Sequence, residues 1–262
     1  MSHAPLSTLA YLPKAKKNMH TAHLIRAVTL ALLIIGWEIL ARSGLLLRDV
    51  VPSLVTIIAS MGKLIINPLF YSNLSITSFE VIMALAIGSV LGIICGIIIG
   101  SSAFLSAAFE PYIYYMSPTP RIIFFPVMIM WFGVGSPSKI ALGALSCFFT
   151  MALSTADGMR QIDKVLIRVG RSFRASLWHM AIKIYLPAMR TPILNGIRLG
   201  FGTAVITALL AETKLSNQGL GFMIMQIYSR FDMPTLYALL IIVFILAGLG
   251  NAVLGALAGS QK

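Results

Sequence analysis

The residues best able to bind a charged partner lie between Asp157 and Arg190. Seven lysine and arginine side chains fall in this segment, which we call the basic island. They are Arg160, Lys164, Arg168, Arg171, Arg174, Lys183 and Arg190. Guanidinium and ammonium groups bind phosphates and carboxylates, so the expected chemistry is recognition of an anionic lipid surface or of an acidic protein groove. The physics of the segment leaves these two partners open.

Two further charged residues belong to a long apolar run at 192–211. Arg198 lies inside the run and Glu212 closes it. A charge within a membrane is costly and marks either a function or a buried partner. Arg198 is therefore an anion-attracting group on a path through the membrane, or a structural arginine bound to a carboxylate such as Glu110 or Glu212. Glu212 is a gate or dimer contact, or an anchor at a helix end.

Catalytic and metal-binding patterns are missing from the sequence. There is no GxSxG elbow, no HExxH helix and no GxxxxGK[ST] phosphate loop. His179 is the only histidine outside the N-terminal segment, and Cys95 and Cys147 lie in apolar runs. We therefore expect neither a metal site nor an enzyme, and an intramembrane hydrolase is a poor alternative.

The composition requires a membrane environment. Hydrophobic residues make up 58% of the 262 residues and charged residues only 11%, against about a quarter charged in soluble domains. The net charge of +12 does not indicate a nucleic-acid partner, because the basic residues lie between apolar runs, as topology signals do.

The elements that must position these residues are about six membrane-spanning helices. Their predicted ranges are 24–41, the uncharged run between Glu80 and Glu110, 120–132, 139–156, 192–211 and 236–257. An interfacial helix is predicted at 51–66, before a turn at Asn67-Pro68.

Small residues and prolines indicate how the spans pack. Glycines recur at every fourth position on one helix face, which favours close packing within the chain: Gly88, Gly92, Gly96 and Gly100. The last span carries a small-residue face at Asn251, Gly255 and Gly259. Prolines at 111, 118, 120 and 126 predict broken helices, which a membrane tolerates only inside protein or beside a water-filled cavity.

The distribution of basic residues predicts the topology. Six spans place both termini on the side of the basic island, where eleven lysines and arginines fall, against about six on the other side. The positive-inside bias therefore predicts cytoplasmic termini. The expected organisation is an N-terminal tail at 1–23, one transmembrane domain at 24–258 containing a cytoplasmic loop at about 160–187, and a C-terminal tail at 259–262.

The basic island has the pattern of two short helices. Val165, Val169 and Phe173 form one apolar stripe, and most of the basic residues lie off it. A second helix is predicted from about Ser176 to Leu186-Pro187.

This loop resembles the EAA loop of binding-protein-dependent ABC importer permeases. That loop has a Glu-Ala-Ala-like triplet, a glycine a few residues later, and then Ile-x-Leu-Pro. The corresponding positions here are Arg168-Val169-Gly170-Arg171, then Ser172-Phe173-Arg174-Ala175-Ser176, then Ile184-Tyr185-Leu186-Pro187.

The chain is similar, more narrowly, to the nitrate/sulfonate/taurine branch of these permeases. The similarity spans about residues 25–258 in consistent order. The matching motifs are the four prolines, Trp131-Phe132-Gly133-Val134-Gly135, Gly196-Ile197-Arg198, Ala211-Glu212 and Gly219-Leu220-Gly221.

The resemblance implies an all-α, type I importer permease with the MetI-like fold, in a bacterial inner membrane. It further implies a homodimer, two ATP-binding cassette ATPase subunits that carry the ATP and Mg²⁺, and an extracytoplasmic solute-binding protein. The implied solute is a small anion or zwitterion of the nitrate, sulfonate or taurine class. A pyrimidine-type vitamin precursor, or a membrane adaptor that recruits a cytoplasmic partner without transport, are the alternatives.

Two groups of site residues follow from the resemblance. The residues implied in ATPase coupling are Arg168, Val169, Gly170, Arg171, Phe173, Arg174, Ala175, Ser176, Leu186 and Pro187. The residues suggested for the translocation path are Arg198, Glu212, Pro120 and Trp131.

The loop departs from the family pattern at two positions. Arg168 stands where an acid is expected and Arg174 where a glycine is expected. A left-handed arginine is strained, so either the turn has a different shape or the contact with the ATPase has changed. One hypothesis is that both arginines meet acidic residues of a matched ATPase, and the alternative is that Arg174 reaches lipid headgroups.

Overall fold

The computed structural model describes residues 19–44 and 50–259, and the regular elements in these ranges are helical. They are α1 (Met19–Arg42), α2 (Leu54–Ile66), α3 (Pro68–Gly100), α4 (Ala103–Met116), α5 (Phe125–Phe132), α6 (Ser136–Arg160), α7 (Lys164–Ser172), α8 (Leu177–Met180), α9 (Leu186–Ala188), α10 (Arg190–Lys214), α11 (Leu220–Ser229) and α12 (Met233–Gly259). A 3₁₀ turn at Arg121–Phe124 precedes α5, and a π-helical turn at Ala181–Tyr185 joins α8 to α9. The predicted all-α class is confirmed.

The chain divides into two units between Thr56 and Ile57. In the first unit, Glu38 of α1 pairs with Arg42 at 2.6 Å and accepts the backbone N–H of Leu54 at 2.9 Å. Residues 1–18, 45–49 and 260–262 lie outside the described residues, and with them most of both predicted tails. Met19 to His23 belong to α1, so the helix begins inside the range predicted as a tail.

Five of the described helices are long and apolar enough to cross a membrane, namely α1, α3, α6, α10 and α12. They match five of the six predicted spans. α3 begins at Pro68, well before Glu80, because Asn67 caps it. The Asn67 side chain accepts the N–H of Leu69 at 3.0 Å, and Pro68 takes a position in the first turn where its missing N–H is harmless.

The core of the second unit is a parallel contact between α3 and α6. Lys139 Nζ lies 2.8 Å from Glu80 Oε1, 59 residues apart, and the pairing repeats every fourth residue at the same separation. The successive pairs are Ala84 with Gly143, Gly88 with Cys147, Gly92 with Met151, Gly96 with Thr155 and Gly100 with Met159. A Cβ added at Gly88 would stand 2.5 Å from the carbonyl oxygen of Ala144. The glycine face therefore packs within the chain, as the sequence predicts.

Because α3 and α6 are parallel, the chain between them must return from the C-terminal end of α3 to the N-terminal end of α6. Residue 100 lies beside 159 and residue 80 beside 139, so the return covers about 30 Å. The segment 103–132 makes this return antiparallel to α6. Glu110 pairs with Arg160, the Arg121 guanidinium lies 5.7 Å from the Phe149 ring, and Phe125 and Met128 pack with Leu142.

The predicted third span at 120–132 is therefore only part of a crossing. The 3₁₀ turn and α5 together cover 121–132, about 20 Å of helix, which is too short to span a bilayer alone. The crossing is broken, as the prolines predict, and it includes α4. Gly133, with φ +79°, ends α5, and Gly135, with φ +150°, precedes α6, so the glycines of the Trp-Phe-Gly-x-Gly motif make the turn.

α10 lies antiparallel to α6, and α12 antiparallel to α10. Gly158 faces Pro192, Gly196 faces Met151 and Ser154, and Thr207 bonds Ser146 at 3.1 Å. On the other face of α10, Phe201 packs on Gly250 of α12. The C-terminal ends of α3 and α6, the start of α10 and the end of α12 thus share one end of the unit with the basic island. We call this the island end, and the other the distal end.

Candidate functional site

The first helix of the basic island has a defined start. The side chain of Asp163 accepts the N–H of Val165 at 2.8 Å and caps α7. Nine residues follow, with polar and apolar faces sharply separated, and Gly170 is the buried one. The short amphipathic helix predicted for the loop is confirmed in outline.

The end of α7 is a Schellman turn that contains an arginine. The N–H of Arg174 bonds the carbonyl of Arg171 at 2.9 Å, and the N–H of Ala175 bonds that of Gly170 at 3.1 Å. Arg174 has φ +49°, at the position where glycine is usual in this motif. The backbone shape expected from a glycine is therefore kept, and the side chain has changed. A left-handed arginine costs about 1–2 kcal/mol.

Packing fixes α7 on the chain that follows it. A Cβ at Gly170 would overlap Met180 Sδ and meet Ile184 Cδ1 at 2.5 Å, so the missing side chain of Gly170 lets α7 lie directly against these two residues. Met180, Tyr185 and Met189 form a buried cluster with Met159 and Ile162. The island is thus tied to the end of α6.

The remaining residues implied in coupling form an exposed surface. Val169 is 47% exposed and Phe173 is 81% exposed. Arg168, Arg171 and Arg174 are exposed beside them, as are Ser176, Leu186 and Pro187, while Ala175 is half-buried. Ser176 directly precedes α8, and its Oγ lies 2.9 Å from His179 Nδ1. The island therefore presents an apolar stripe bordered by cations, outside the hydrophobic core.

A buried ionic cluster lies at the distal end. Lys139 Nζ donates to Glu80 Oε1 and to Ser216 Oγ, each at 2.8 Å. Glu212 Oε1 accepts from Thr77 Oγ1 at 2.7 Å. Glu80, Lys139 and Glu212 are 0%, 3% and 1% exposed. We call these five residues the distal cluster, which links α3, α6, α10 and the loop before α11.

Glu212 also shapes the Gly219-Leu220-Gly221 turn. Its Oε2 accepts the N–H of Gly221 at 2.6 Å, and the N–H of Leu220 donates to Thr77 Oγ1 at 2.8 Å. A Cβ at Gly219 would overlap the Glu212 carboxylate, and Gly219 has φ +105°. Both glycines are therefore required by the close approach to Glu212. Glu212 is buried among these groups and is not among the residues that line the cavity beside Arg198.

Arg198 has a contrasting environment. Its Nε donates to Asn251 Oδ1 of α12 at 2.9 Å, and its side chain is exposed. It lines a cavity of 1020 Å³ between α10 and α12, which we call the Arg198 cavity. The wall is mostly apolar, with polar groups at Asn195, Thr213 and Asn251. Neither Glu110 nor Glu212, the carboxylates considered as partners, bonds Arg198.

The other two residues suggested for a path lie away from this cavity. Pro120 is exposed and begins the 3₁₀ turn, where its carbonyl accepts the N–H of Ile123 at 3.3 Å. Trp131 is 73% exposed near the end of α5. Neither lines the Arg198 cavity.

The sequence interpretation missed the roles of Glu80 and Lys139. The sequence pattern used each of these residues only to mark where an apolar run begins. A signal was present, because Glu80 and Ala84 extend the four-residue glycine period of α3 towards its N-terminus. Extending that period would have placed Glu80 on the packed face. Asn251 belongs to the predicted small-residue face, but nothing there indicated Arg198 as its partner. Among the described residues no group of three histidine, cysteine or acidic side chains could hold a metal.

Several known transport permeases are similar to this chain. It is 33% identical over 196 residues to a putative aliphatic sulfonates transport permease, SsuC, of Bacillus subtilis, covering 74% of this chain and 71% of that one. It is 30% identical to the taurine transport permease TauC of Escherichia coli, with 75% and 73% covered. It is 28% identical to the nitrate import permease NrtB of Synechocystis, with 85% of each covered.

Solved structures share the fold. The chain superposes on a chain from an inward-facing structure of the MetNI methionine ABC transporter with a TM-score of 0.66 and 17% identity, covering 74% of this chain and 96% of that one. The crystal structure of an amino acid ABC transporter gives a TM-score of 0.53, again at 17% identity. These matches confirm the predicted importer-permease fold.

The family model described as the inner membrane component of binding-protein-dependent transport systems matches residues 88–260. That range contains the C-terminal part of α3, the whole of α6, the basic island and the Arg198 cavity. It favours a transport role over the adaptor alternative. This chain, a multi-pass membrane protein, belongs to the family of binding-protein-dependent transport system inner membrane components.

Proposed function

We propose that this chain is the permease subunit of an ATP-driven importer for a small anion of the sulfonate, taurine or nitrate class. The observation that carries the solute class is the guanidinium of Arg198 on the wall of the Arg198 cavity. The named functions of the similar SsuC, TauC and NrtB permeases agree with it.

The position of Arg198 supports a water-filled or protein-covered path. Arg198 lies eight residues into α10, and an arginine facing lipid at such depth costs about 2.5–3.5 kcal/mol or more. Since its side chain is exposed in the single chain, protein or water must cover it in the membrane. A second copy of the permease facing α10 and α12 meets this need, and we propose a homodimer.

The exposed face of α7 supports coupling to two cytoplasmic ATPase subunits, which would bind the ATP and Mg²⁺. Val169 and Phe173 supply an apolar stripe suited to a groove, and Arg168, Arg171 and Arg174 supply cations at its edge. The left-handed Arg174 keeps its turn at a backbone cost. We propose that its side chain meets an acidic residue of the matched ATPase.

The remaining assembly follows the same logic. The basic island would face the cytoplasm together with both termini, in line with the positive-inside bias. The distal end would face an extracytoplasmic solute-binding protein. Alternating access would then open the Arg198 cavity to one side at a time as the ATPases close.

Transport by the reconstituted complex tests the solute assignment. In vesicles carrying the ATPase and the binding protein, Arg198→Gln should lower uptake of a labelled sulfonate or nitrate at least tenfold, and Arg198→Lys should retain part of it. Lys63→Gln removes an exposed cation from α2 and should leave uptake unchanged. Normal uptake by both Arg198 variants would refute an anion-binding role, and would favour an uncharged solute such as a pyrimidine-type precursor.

Charge reversal tests the ATPase contact. Arg174→Glu should reduce co-purification of the ATPase and ATP-dependent uptake several-fold. Arg174→Gly keeps the turn and removes the charge, so it separates the effect of the side chain from that of the backbone. If Arg174→Glu assembles and transports normally, Arg174 does not contact an acidic ATPase surface.

A further inference from the structure

Two residues of α12 hold the guanidinium of Arg198. Asn251 and Gly255 are four residues apart and therefore share a helix face. Asn251 Oδ1 accepts from Arg198 Nε at 2.9 Å. Among the described residues, this is the one hydrogen bond that the Arg198 side chain makes. The amide thus fixes one edge of the guanidinium plane.

Gly255 provides the space that the guanidinium needs. A Cβ added there would stand 3.4 Å from Arg198 Cζ, 3.5 Å from Nη1 and 3.6 Å from Nε. These are ordinary contact distances, so a methyl group would fit and a branched side chain would push the guanidinium away. The small-residue face of α12 therefore accommodates a side chain of α10, in addition to any helix packing.

The bond to Nε determines what the guanidinium presents to the cavity. With Nε–H engaged, the edge formed by Nη1 and Nη2 stays available, since neither atom has a hydrogen-bond partner in residues 19–44 and 50–259. Two N–H groups on this edge match two oxygens of one planar or tetrahedral oxoanion. A single-atom anion such as chloride gains nothing from that orientation.

We infer that Asn251 and Gly255 are positioning residues that orient Arg198 for two-point recognition of an oxoanion. The inference rests on the proposed function, in which Arg198 binds the solute. It goes further by selecting sulfonate, nitrate or carboxylate groups over halides, and by assigning that selectivity to α12.

Direct binding to the complete permease–ATPase complex in nanodiscs tests the inference without the binding protein. The probes are methanesulfonate, nitrate and chloride. Asn251→Ala should raise the Kd for the two oxoanions about tenfold, equivalent to about 1.4 kcal/mol, and change that for chloride less than twofold. Gly255→Leu should have the same selective effect, whereas Gly255→Ala should stay within twofold of the parent.

Controls separate this inference from the proposed function. Val253→Ala alters an exposed side chain of the same helix and should change no Kd. Arg198→Gln should abolish binding of all three anions, and binding that survives it refutes the proposed anion site itself. If Arg198→Gln abolishes binding but Asn251→Ala and Gly255→Leu leave the oxoanion Kd unchanged, or weaken chloride equally, the positioning role is refuted alone. Should Asn251→Ala fail to fold, Gly255→Leu against Gly255→Ala decides the question.

Discussion

The distal cluster and the Arg198 cavity both contain charged side chains on long apolar helices, but the surroundings of these charges differ. Lys139, Glu80 and Glu212 are almost completely buried and bind one another or nearby hydroxyl and amide groups. Within the part of the chain that the structure describes, Arg198 makes one hydrogen bond, and its guanidinium faces the open Arg198 cavity. Charge alone does not mark a transport path. The number of internal partners separates a charge that holds the fold from one that is available to a solute.

The largest effect is expected where the distal cluster loses its cation. Lys139→Ala leaves Glu80 and Glu212 buried without an ammonium group, and breaking a buried pair costs about 3–5 kcal/mol. Thermal unfolding of the purified protein in detergent should show a large fall in Tm and a low yield. Lys63→Ala, at an exposed site on α2, serves as the control. An unchanged Tm for Lys139→Ala would mean that the cluster does not support the fold.

The turn beside Glu212 should be the next most sensitive. Gly219→Ala adds a methyl group that overlaps the Glu212 carboxylate, on a backbone with positive φ, and we expect a loss of about 2–3 kcal/mol. Gly62→Ala is the matched control, because nothing lies within 4 Å of the added Cβ and alanine favours a helix. Equal Tm values for the two variants would contradict the role assigned to the turn.

Arg198 should behave in the opposite way. Arg198→Gln removes a side chain with one exposed hydrogen bond, so its unfolding free energy should change by about 1 kcal/mol or less. Anion transport should nevertheless be lost. A Tm that falls as far as that of Lys139→Ala would place Arg198 with the structural charges and remove the distinction.

The smallest effect is expected at Arg174, whose left-handed backbone is strained. Arg174→Gly relieves the left-handed strain at φ +49°, and we expect a gain of about 0.5–1 kcal/mol, since glycine also loses more chain entropy. Tm should rise slightly while ATP-driven uptake falls. A variant that is both more stable and fully active would leave the arginine without a functional reason.

The helix class, the membrane location and most spans could be predicted because long uncharged runs admit few other structures. The first residue of α3 could not be predicted. The sequence before Glu80 mixes polar and apolar residues, and the start of α3 depends on the cap formed by Asn67. The broken crossing was foreseen from its prolines, but its extent depends on α3 and α6 being parallel, a tertiary fact.

Some parts of the candidate site could be predicted from the sequence and others could not. The island pattern located α7, and the resemblance located the turn at Arg174. Arg198 stood out as a charge in an apolar run. The sequence did not show that Arg198 is exposed and Glu212 buried. Both are charged residues in or beside an apolar run, and only their neighbours in the fold distinguish them. Those neighbours, Asn251 for one and Thr77 and Gly221 for the other, are distant in sequence or concealed in a turn.

The four-residue register between α3 and α6 has a mechanical consequence. With the backbones in contact at Gly88, Gly92, Gly96 and Gly100, neither helix can slide or roll without driving side chains into the opposite backbone. We therefore expect the pair to move as one rigid unit in the proposed transport cycle. If the unit bends, we expect the bend in the proline-broken return at 103–132, where helix breaks interrupt the backbone.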